Sequence, residues 1–425
     1  MTVLILFLIV MIILGFPIAF AIGISTALVF LLHSMPIVML AQRMFGGINS
    51  YMLLAVPLFM FAGALMDKGG LSKRIVDLAE SVVGFLPGGL AIAGIMASML
   101  FAGISGSAAA DSAAIGSVII PSMKKSGYKA PMAAATIASA GSMGVIIPPS
   151  IPMIIYGFIT GISIGKLFVA GILPGVLIGI SLSVVAFLLS SKSDARDNKE
   201  KIEFNIAKIK DSFKKAVLAI GAPVIVVGGI LGGIFTATES GAIAVVYSFI
   251  VGKFFYKQLE WKKVYDAALS SAITSSVILL IISVATIFSW YLSINNVQLA
   301  ISHFLNSMAT GKIMVLLMIN FFLLLMGTFV ETTASLILFV PIVAPILASI
   351  GIDPLTSGVI VVTNLAIGML TPPLGICLIV SGAIAKCSIL QVSKAAIPFL
   401  IIMLVDLLMI SFFGPLTTFL PSMMH

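Results

Sequence analysis

Long apolar segments that carry no charge recur along the whole chain, and they limit the possible folds more than any other feature. Residues 167–190 and 313–330, for example, contain no charged side chain. Only 9% of the 425 residues are charged, against about 25% in ordinary soluble domains, which is too few to cover a soluble protein of this length. We therefore predict an all-α polytopic membrane protein, because uncharged runs of this length match membrane-spanning helices.

The rest of the composition excludes other classes of protein. The cysteines Cys377 and Cys387 have neither CxxC nor Cys/His spacing, which argues against a disulfide framework and a zinc site. The three histidines are too scattered along the sequence to predict a metal cluster. The net charge of +8 comes from basic residues in short loops between apolar segments. That distribution is typical of cytoplasmic anchoring of a membrane protein and not of nucleic-acid binding.

The N-terminal apolar segment is predicted to remain in the protein. Residues 2–14 lack a basic region before them and a small-residue cleavage site after them, so a signal peptide is not expected. The first 32 residues could form one long tilted span or two short ones broken at Gly15-Phe16-Pro17. The parity of the span count favours two.

One strongly polar segment divides the chain into halves of similar length. Residues 190–215 carry 8 of the 23 Lys/Arg and 5 of the 15 Asp/Glu. Apolar residues recur at helical spacing within it, with lysines on the other face: Ile202, Ile206, Ile209 and Phe213. This pattern predicts an amphipathic connector in the cytoplasmic interface, between a first unit at 1–189 and a second at 216–425.

The two halves repeat each other. An offset of 224 residues aligns their glycines and prolines: Gly103 with Gly327, Pro121 with Pro345, Gly127 with Gly351, Gly144 with Gly368, Pro148 with Pro372 and Pro149 with Pro373. The loop at 124–129 has three lysines, whereas its counterpart at 349–353 has none. Because positively charged loops stay in the cytoplasm, the two copies are predicted to be inverted across the membrane, an architecture typical of secondary transporters.

Each copy is predicted to contain a re-entrant helical hairpin followed by a broken helix. The paired segments 88–103 and 109–123, and again 313–327 and 333–348, are shorter than the about 20 residues of a comfortable span. They predict hairpins at about 88–123 and 313–348, with tips at Ser105–Ser107 and Gly327–Thr333. Consecutive prolines then interrupt the segments at about 131–164 and 355–386, because proline lacks the backbone donor that a helix needs.

These interruptions predict binding sites near the middle of the membrane. Unpaired carbonyl groups and hydroxyls are good ligands for a dehydrated sodium ion, and half-helix N-termini favour a carboxylate. The candidates in the first half are Ser105, Ser107, Ser142 and the backbone of 144–148, and those in the second are Gly327, Thr332, Thr333, Gly368 and Thr371. The alternative is that these small residues only let helices approach closely. The pairing of hairpin and break in both halves favours binding sites.

Isolated acids inside apolar segments have two interpretations. Asp111 and Glu331 lie at or just past the hairpin tips, where a carboxylate either caps a helix or belongs to an ion path. Glu239 is predicted to cap the span that follows it. Asp406 lies inside the last span with no obvious partner and no assigned role.

No energy-converting or catalytic motif is recognisable. Residues 161–166 (GISIGK) lack the spacing of a phosphate-binding loop and the Ser/Thr that should follow it. No hydrolase triad is assembled, so we expect no enzymatic activity, and energy must come from an ion gradient or a partner.

The motif set resembles the large membrane subunit of tripartite ATP-independent periplasmic (TRAP) transporters over essentially the whole chain. The resemblance is carried by residues 49–59 (NSYMLLAVPLF), 103–111 (GISGSAAAD), 147–150 (IPPS) and 370–373 (LTPP). It implies an elevator-type fold in the bacterial inner membrane. It also implies sodium-coupled uptake of an organic acid that a periplasmic binding protein delivers. A small four-helix membrane subunit is the expected second partner, as a separate chain because this one starts with the large subunit's first span.

The resemblance also implies two or more sodium ions, held by the hairpin tips and broken helices, with the substrate between the tips. The first sodium site would use Gly103, Ser105, Ser107, Ser142, Gly144 and Pro148; the second would use Gly327, Glu331, Thr332, Gly368 and Thr371; the substrate would meet Ser107, Asp111, Ser150 and Thr333. Sialic acid is slightly preferred over a C4-dicarboxylate, although no residue decides between them.

Two other functions compete with this one. A stand-alone sodium–carboxylate symporter would need no partners, and the motifs argue against it. A non-transporting scaffold or a proton-pumping subunit is the other alternative. A pump should carry several Lys or Glu residues in mid-membrane for a proton relay, and this sequence has almost none. The partner-docking loops are predicted near 33–49 and 295–311, on the periplasmic side.

Overall fold

The structure is a computed structural model that describes residues 2–191, 205–297 and 311–424. Within these ranges the chain forms helices and turns and no strand, so the all-α prediction is confirmed. Of the predicted connector, 192–204 lies outside the described residues, as does most of the predicted docking loop at 295–311. Eight described helices are long and apolar enough to cross a membrane.

The first half ends with one helix of 28 residues, preceded by shorter helices. In chain order they are α1 Thr2–Ile13, α2 Ile18–Leu32, α3 Ile37–Ile48, α4 Ala55–Lys68, α5 Leu71–Val83, α6 Gly89–Ser105, α7 Ala108–Lys125, α8 Ala130–Ser142, α9 Ile151–Thr160 and α10 Ile164–Ser191. The first two pack against each other on either side of a turn at 14–17. The expectation of two short N-terminal helices is therefore confirmed.

The helices of the second half follow in chain order. They are α11 Ile206–Leu231, α12 Ala237–Ile250, α13 Trp261–Ile294, α14 Lys312–Phe329, α15 Thr332–Ser349, α16 Pro354–Gly368, α17 Ile376–Ala385, α18 Ile389–Phe412 and α19 Pro415–Thr418. Several begin with the polar caps that helix starts need. Thr236 and Glu239 form a capping box on α12, as the sequence predicted for Glu239, and Asp353 caps α16.

Both halves contain the predicted hairpin and broken helix. The pairs α6/α7 and α14/α15 are hairpins whose helices contact each other across short tips. The pairs α8/α9 and α16/α17 are the broken helices, interrupted at 143–150 and 369–375. The doubled prolines lie in these interruptions because they remove two consecutive backbone donors. The division of the chain into units at 1–189, 190–215 and 216–425 stays a prediction.

The order of the spans places the two hairpins on opposite sides of the membrane. Between the base of α7 and the base of α14 the chain crosses through α8–α9, α10, α11, α12 and α13, which is an odd number of crossings. Counted over the described helices, the hairpins therefore enter from opposite faces, as inverted repeats require.

The helices group into two packed bodies. One, called the scaffold below, is built around α4, which packs against α12 and α13. The other, called the hairpin body, is built around α8, which packs against α6, α7, α17 and α18. In the hairpin body, Lys124 at the base of α7 donates to the carbonyl of Ala385 at the end of α17, at 2.9 Å. This contact places the lysine-rich base of the first hairpin beside the end of the second broken helix.

We predict that the hairpin bases are accessible from opposite sides of the membrane. In a chain with Cys377 and Cys387 replaced by alanine, Lys125→Cys should react with a membrane-impermeant maleimide only when the cytoplasmic face is open. Ser349→Cys should react in intact spheroplasts, because its loop lies on the other face. The cysteine-free chain is the control, and labelling of both positions from one side would contradict the inverted arrangement.

Candidate functional site

The tip of the first hairpin contacts the first helix break directly. Gly106 ends α6 with a φ of +62°, a conformation that favours glycine. Its carbonyl accepts a hydrogen bond from the backbone N–H of Ile151 at 3.3 Å. A methyl group added at Gly106 would lie 2.7 Å from the Pro149 carbonyl oxygen. The tip and the break therefore share their backbone groups, and a side chain at Gly106 would separate them.

Asp111, one turn into α7, is fully buried beside this contact. One carboxylate oxygen accepts a hydrogen bond from the Ser105 hydroxyl, which in turn accepts from the Ser107 backbone N–H at 3.2 Å. The other oxygen, Oδ2, has no hydrogen-bond partner among the described residues. It faces Gly144, where an added methyl group would overlap it. Asp111 thus does not cap α7, and its free oxygen lies directly against the backbone of Gly144, where no side chain would fit.

A buried carboxylate needs a compensating charge or a proton, because transfer of an unpaired charge out of water is expensive. No lysine or arginine in the described part of the chain forms an ion pair with Asp111. The ion pair in that part of the chain joins Lys215 to Asp211, 100 residues further along the sequence. The free oxygen lies next to a helix break whose carbonyl groups are not all used within helices. A carboxylate oxygen and backbone carbonyl oxygens are ligands that fit a hard monovalent cation such as sodium, which prefers oxygen.

Of the other residues predicted for the first site and the substrate, Gly103 lies at the break, whereas Ser142 and Ser150 form hydrogen bonds to nearby backbone groups. Gly103 lies beside the break, where an added methyl group would be 3.7 Å from the Pro148 carbonyl oxygen. The Ser142 hydroxyl donates to the Ser139 carbonyl at 2.8 Å and lies 3.9 Å from the sulfur of Met403. Ser150 caps α9, accepting from the Met153 N–H and donating to the Val145 carbonyl. The hydroxyls of Ser142 and Ser150 are therefore engaged within the hairpin body.

The second site is built differently from the first. Gly327 and Gly368 bring the backbones of α14 and α16 into contact, since a methyl group added at Gly368 would lie 2.5 to 2.7 Å from Gly327 backbone atoms. The Leu374 N–H donates to the Thr328 carbonyl at 3.4 Å, joining this tip to its break. The Thr371 hydroxyl donates to the Ile367 carbonyl at 3.1 Å.

Glu331 takes the capping role that Asp111 does not. Its carboxylate accepts from the backbone N–H groups of Thr333 at 2.9 Å and Ala334 at 3.2 Å, at the start of α15. Thr332 and Thr333 are buried beside it. Of the two interpretations of Glu331, capping is the one that the structure shows.

A cleft of about 250 Å³ connects the first hairpin tip with the scaffold. Ser105 and Ser107 of the tip form one wall, and the opposite wall consists of α4 and α13 residues: Met60, Gly63, Ala64, Asp67, Lys68, Ser270, Ser271 and Thr274. At Gly63 the scaffold touches the tip, because an added methyl group would be 3.0 Å from the Ser105 Cα. The cleft thus extends from the Lys68 end of α4 to the tip.

Sequence reasoning did not find the scaffold side of this cleft. Neither Lys68 nor the hydroxyls of α13 were among the residues predicted for the sites. The hydroxyls of α13 fall within five residues of each other in an otherwise apolar span, which is a signal that could have found them. Their position opposite Ser107, however, depends on packing between distant segments.

Two further polar clusters lie inside the hairpin body. The Asn364 amide donates to the Asn320 side-chain oxygen at 2.9 Å, and Asn320 donates to the Ser411 hydroxyl at 3.0 Å, which ties α14, α16 and α18 together. Asp406, to which the sequence gave no partner, accepts a hydrogen bond from the Ser181 hydroxyl at 2.9 Å. Neither cluster includes a residue predicted for the sites.

A larger cavity of about 640 Å³ lies between α13, α9 and α15. Its walls are largely aliphatic, and it includes the hydrogen bond from the Tyr156 hydroxyl to the Ser357 hydroxyl, at 2.9 Å. None of the residues predicted for the sodium and substrate sites lines it.

Comparison with known proteins identifies a matching family and several relatives. The family described as "Tripartite ATP-independent periplasmic transporter, DctM component" matches residues 5–416. The isethionate TRAP transporter permease protein DctMQ of Oleidesulfovibrio alaskensis is 41% identical, over 96% of this chain and 63% of that protein. The C4-dicarboxylate large permease DctM of Pseudomonas aeruginosa is 37% identical, over 95% and 94%. The sialic acid large permease SiaM of Vibrio cholerae is 34% identical, over 96% and 95%.

The chain therefore spans less than two thirds of the DctMQ protein but nearly the whole of the other two relatives. Among solved structures, the YdaH transporter of Alcanivorax borkumensis is similar with a TM-score of 0.62 and 16% identity, over 90% of this chain and 86% of that one. At this level of identity the likeness shows that the fold is shared.

We predict that Gly368→Ala destabilises the protein, because the added methyl group meets the Gly327 backbone, which cannot move as a side chain can. The expected cost is about 1–3 kcal/mol, as for other insertions into a packed interior. It should appear as a lower thermal unfolding midpoint of the purified protein. Gly228→Ala on α11 is the matched control, since an added methyl group there meets nothing within 4 Å. Equal midpoints for the two variants would contradict the close contact.

Proposed function

We propose that this chain, which belongs to the DctM component family of tripartite ATP-independent periplasmic transporters, carries an organic acid into the cell in symport with sodium. Family membership makes it a transporter permease and not an enzyme. Its apolar helices make it a multi-pass membrane protein, which we place in the bacterial inner membrane. The observation that carries the proposal is the cleft that reaches the first hairpin tip, together with the unpartnered buried oxygen of Asp111 in the same hairpin.

The proposed substrate class is an organic acid with a carboxylate or sulfonate group. The names of the relatives include isethionate, C4-dicarboxylate and sialic acid, which share only an anionic headgroup. The slight preference for sialic acid stays a prediction. We further propose two partners, a small membrane subunit and a periplasmic binding protein, because the family is defined as tripartite and periplasmic.

Sodium is the proposed coupling ion. In the first half, the unpartnered Oδ2 of Asp111 and the backbone around Gly144 and Pro148 supply oxygen atoms in a site that a side chain at Gly144 would fill. In the second half, the proposed ligands are backbone groups near Gly327, Gly368 and Thr371. Glu331 would support this second site by holding the start of α15 in place. When bound, the cation supplies the positive charge that Asp111 lacks.

Alternating access is proposed to occur by movement of the hairpin body along the scaffold. The first tip meets the scaffold at Gly63 and faces a cleft at the cytoplasmic end of α4, as in a state that releases substrate to the cytoplasm. Because the tips and breaks are bonded to each other within one body, they can move together without exposing their backbone groups.

The uptake experiment uses liposomes that contain the chain with its small membrane subunit and an inward sodium gradient. Labelled sialic acid, succinate and isethionate are tested with and without the cognate binding protein outside. We expect uptake of one acid that needs both sodium and the binding protein. Uptake without the binding protein would instead support a stand-alone symporter, and no uptake of any acid would contradict the proposal.

We predict that Asp111→Asn weakens sodium coupling, because the amide keeps the shape and one acceptor but loses the charge that the cation would balance. The sodium concentration for half-maximal uptake should rise at least about tenfold, the effect of losing one charge-assisted contact.

The matched control for Asp111→Asn is Asp353→Asn, which alters an exposed helix cap outside both predicted sites. This control should take up substrate with nearly the sodium dependence of the wild type. An unchanged sodium dependence in Asp111→Asn would exclude Asp111 from the sodium site.

A further inference from the structure

The cleft beside the first hairpin tip has a scaffold wall whose chemistry the predicted sites do not include. We propose that Lys68, together with Ser271, is the scaffold half of a release site for the substrate's anionic headgroup on the cytoplasmic side. This inference rests on the proposed function and deepens it, since it assigns a state-specific part of the substrate path to residues outside the hairpins.

Lys68 is the last residue of α4, and it lines the cleft opposite Ser105 and Ser107. Its side chain is half-buried and makes no hydrogen bond or ion pair within the described residues. The neighbouring Asp67 lines the same cleft, but its carboxylate accepts a hydrogen bond from the Ser72 hydroxyl at 3.0 Å. A cation at the C-terminus of a helix also stabilises the helix dipole, yet that role does not need a cleft in front of it.

Three other cations of the described chain are already engaged. Arg74 donates to the Gly70 carbonyl at 2.7 Å and lies over the Tyr256 ring at 3.7 Å. Lys253 lies over the Trp261 ring at 4.8 Å. Lys124 donates to a backbone carbonyl, as described above. Lys68 differs from these cations in that it lines a cavity and makes no hydrogen bond or ion pair within the described residues, although it interacts electrostatically with the neighbouring Asp67.

Two hydroxyls complete the set of donors that a carboxylate or sulfonate requires. Ser107 on the tip and Ser271 on α13 line the cleft, and neither hydroxyl makes a hydrogen bond within the described residues. Ser270 and Thr274, by contrast, donate to carbonyls of their own helix, each at 3.0 Å. One ammonium and two free hydroxyls match an anionic group, whose oxygen atoms only accept hydrogen bonds.

The two walls belong to different bodies, and this makes the site specific to one state. Lys68 and Ser271 are on α4 and α13, which pack together in the scaffold, whereas Ser107 is on the hairpin tip. When the hairpin body moves away, the substrate loses Lys68 and Ser271 but keeps Ser107. Lys68 should therefore strengthen binding from the cytoplasmic side and leave capture from the periplasmic side unchanged.

The test is a counterflow measurement on the complete transporter in liposomes. The probe is whichever of sialic acid, succinate and isethionate the wild type takes up. Labelled acid is offered outside with the binding protein, which selects molecules whose periplasmic face points outward, and unlabelled acid is varied inside. Lys68→Gln should raise the half-saturating internal concentration about tenfold, with the external value within about twofold of the wild type.

Two variants control for charge and for folding. Lys68→Arg keeps the positive charge and should stay close to the wild type on both sides. Lys73→Gln removes a neighbouring exposed lysine that does not line the cleft, and it should also behave like the wild type. Recovery of activity in Lys68→Arg separates a lost charge from a misfolded protein.

The assignment of Lys68 would be overturned if Lys68→Gln left the internal half-saturating concentration unchanged. It would also be overturned if the internal and external half-saturating concentrations rose by the same factor. In that case the wild type still transports the acid, and the proposed function stands. Absence of wild-type uptake for all three acids would instead mean that the proposed function itself has failed.

Discussion

The need to satisfy backbone hydrogen-bonding groups away from water underlies the whole arrangement. A helix break inside a membrane is stable only where other protein groups or an enclosed polar space take up the freed N–H and C=O groups. In this chain each break is covered by a hairpin tip. The Ile151 N–H bonds to the Gly106 carbonyl in the first half, and the Leu374 N–H bonds to the Thr328 carbonyl in the second. The two proposed ion sites lie at these two junctions.

The two halves share this architecture but use different chemistry within it. In the first, a buried carboxylate at Asp111 keeps one free oxygen in front of Gly144. In the second, the carboxylate of Glu331 caps α15. The backbones of Gly327 and Gly368 are in direct contact at the break. The first junction is therefore the one with a charge that still needs a partner, and the second depends on backbone groups.

The scaffold places a cleft with a positive charge beside the hairpin tip at which the first ion site is proposed. Gly63 allows α4 to touch the tip, and the adjoining cleft brings Lys68 and the hydroxyls of α13 opposite Ser107. An anion in this cleft would lie near both the tip that holds the proposed cation and a fixed positive charge. The binding of the ion and of the substrate would then be coupled because the two lie close together. The substrate would be released when the hairpin tip and the scaffold wall separate.

The sequence alone determined that the chain spans the membrane, that its two halves are an internal repeat, and that each half contains a hairpin and a helix break. These features depend on local properties: uncharged runs of a given length, glycines at tight turns, and prolines that cannot continue a helix. The cap at Glu239 could be anticipated for the same reason, since a cap acts within one turn, whereas for Glu331 the sequence left capping and an ion path both open. Family resemblance added the substrate class and partners, which no single residue of this chain encodes.

Only the tertiary structure decided how the polar residues are used. From sequence, Asp111 and Glu331 were equivalent, and Ser142, Ser150 and Ser107 were all candidate ligands. In the folded chain Ser142 and Ser150 bond to carbonyls three and five residues away, Asp111 keeps a free oxygen, and Lys68 lies across a cleft from Ser107. The last two outcomes depend on contacts between residues tens to hundreds of positions apart. Local sequence patterns fix where a helix starts or breaks, but they do not fix which distant surface it meets.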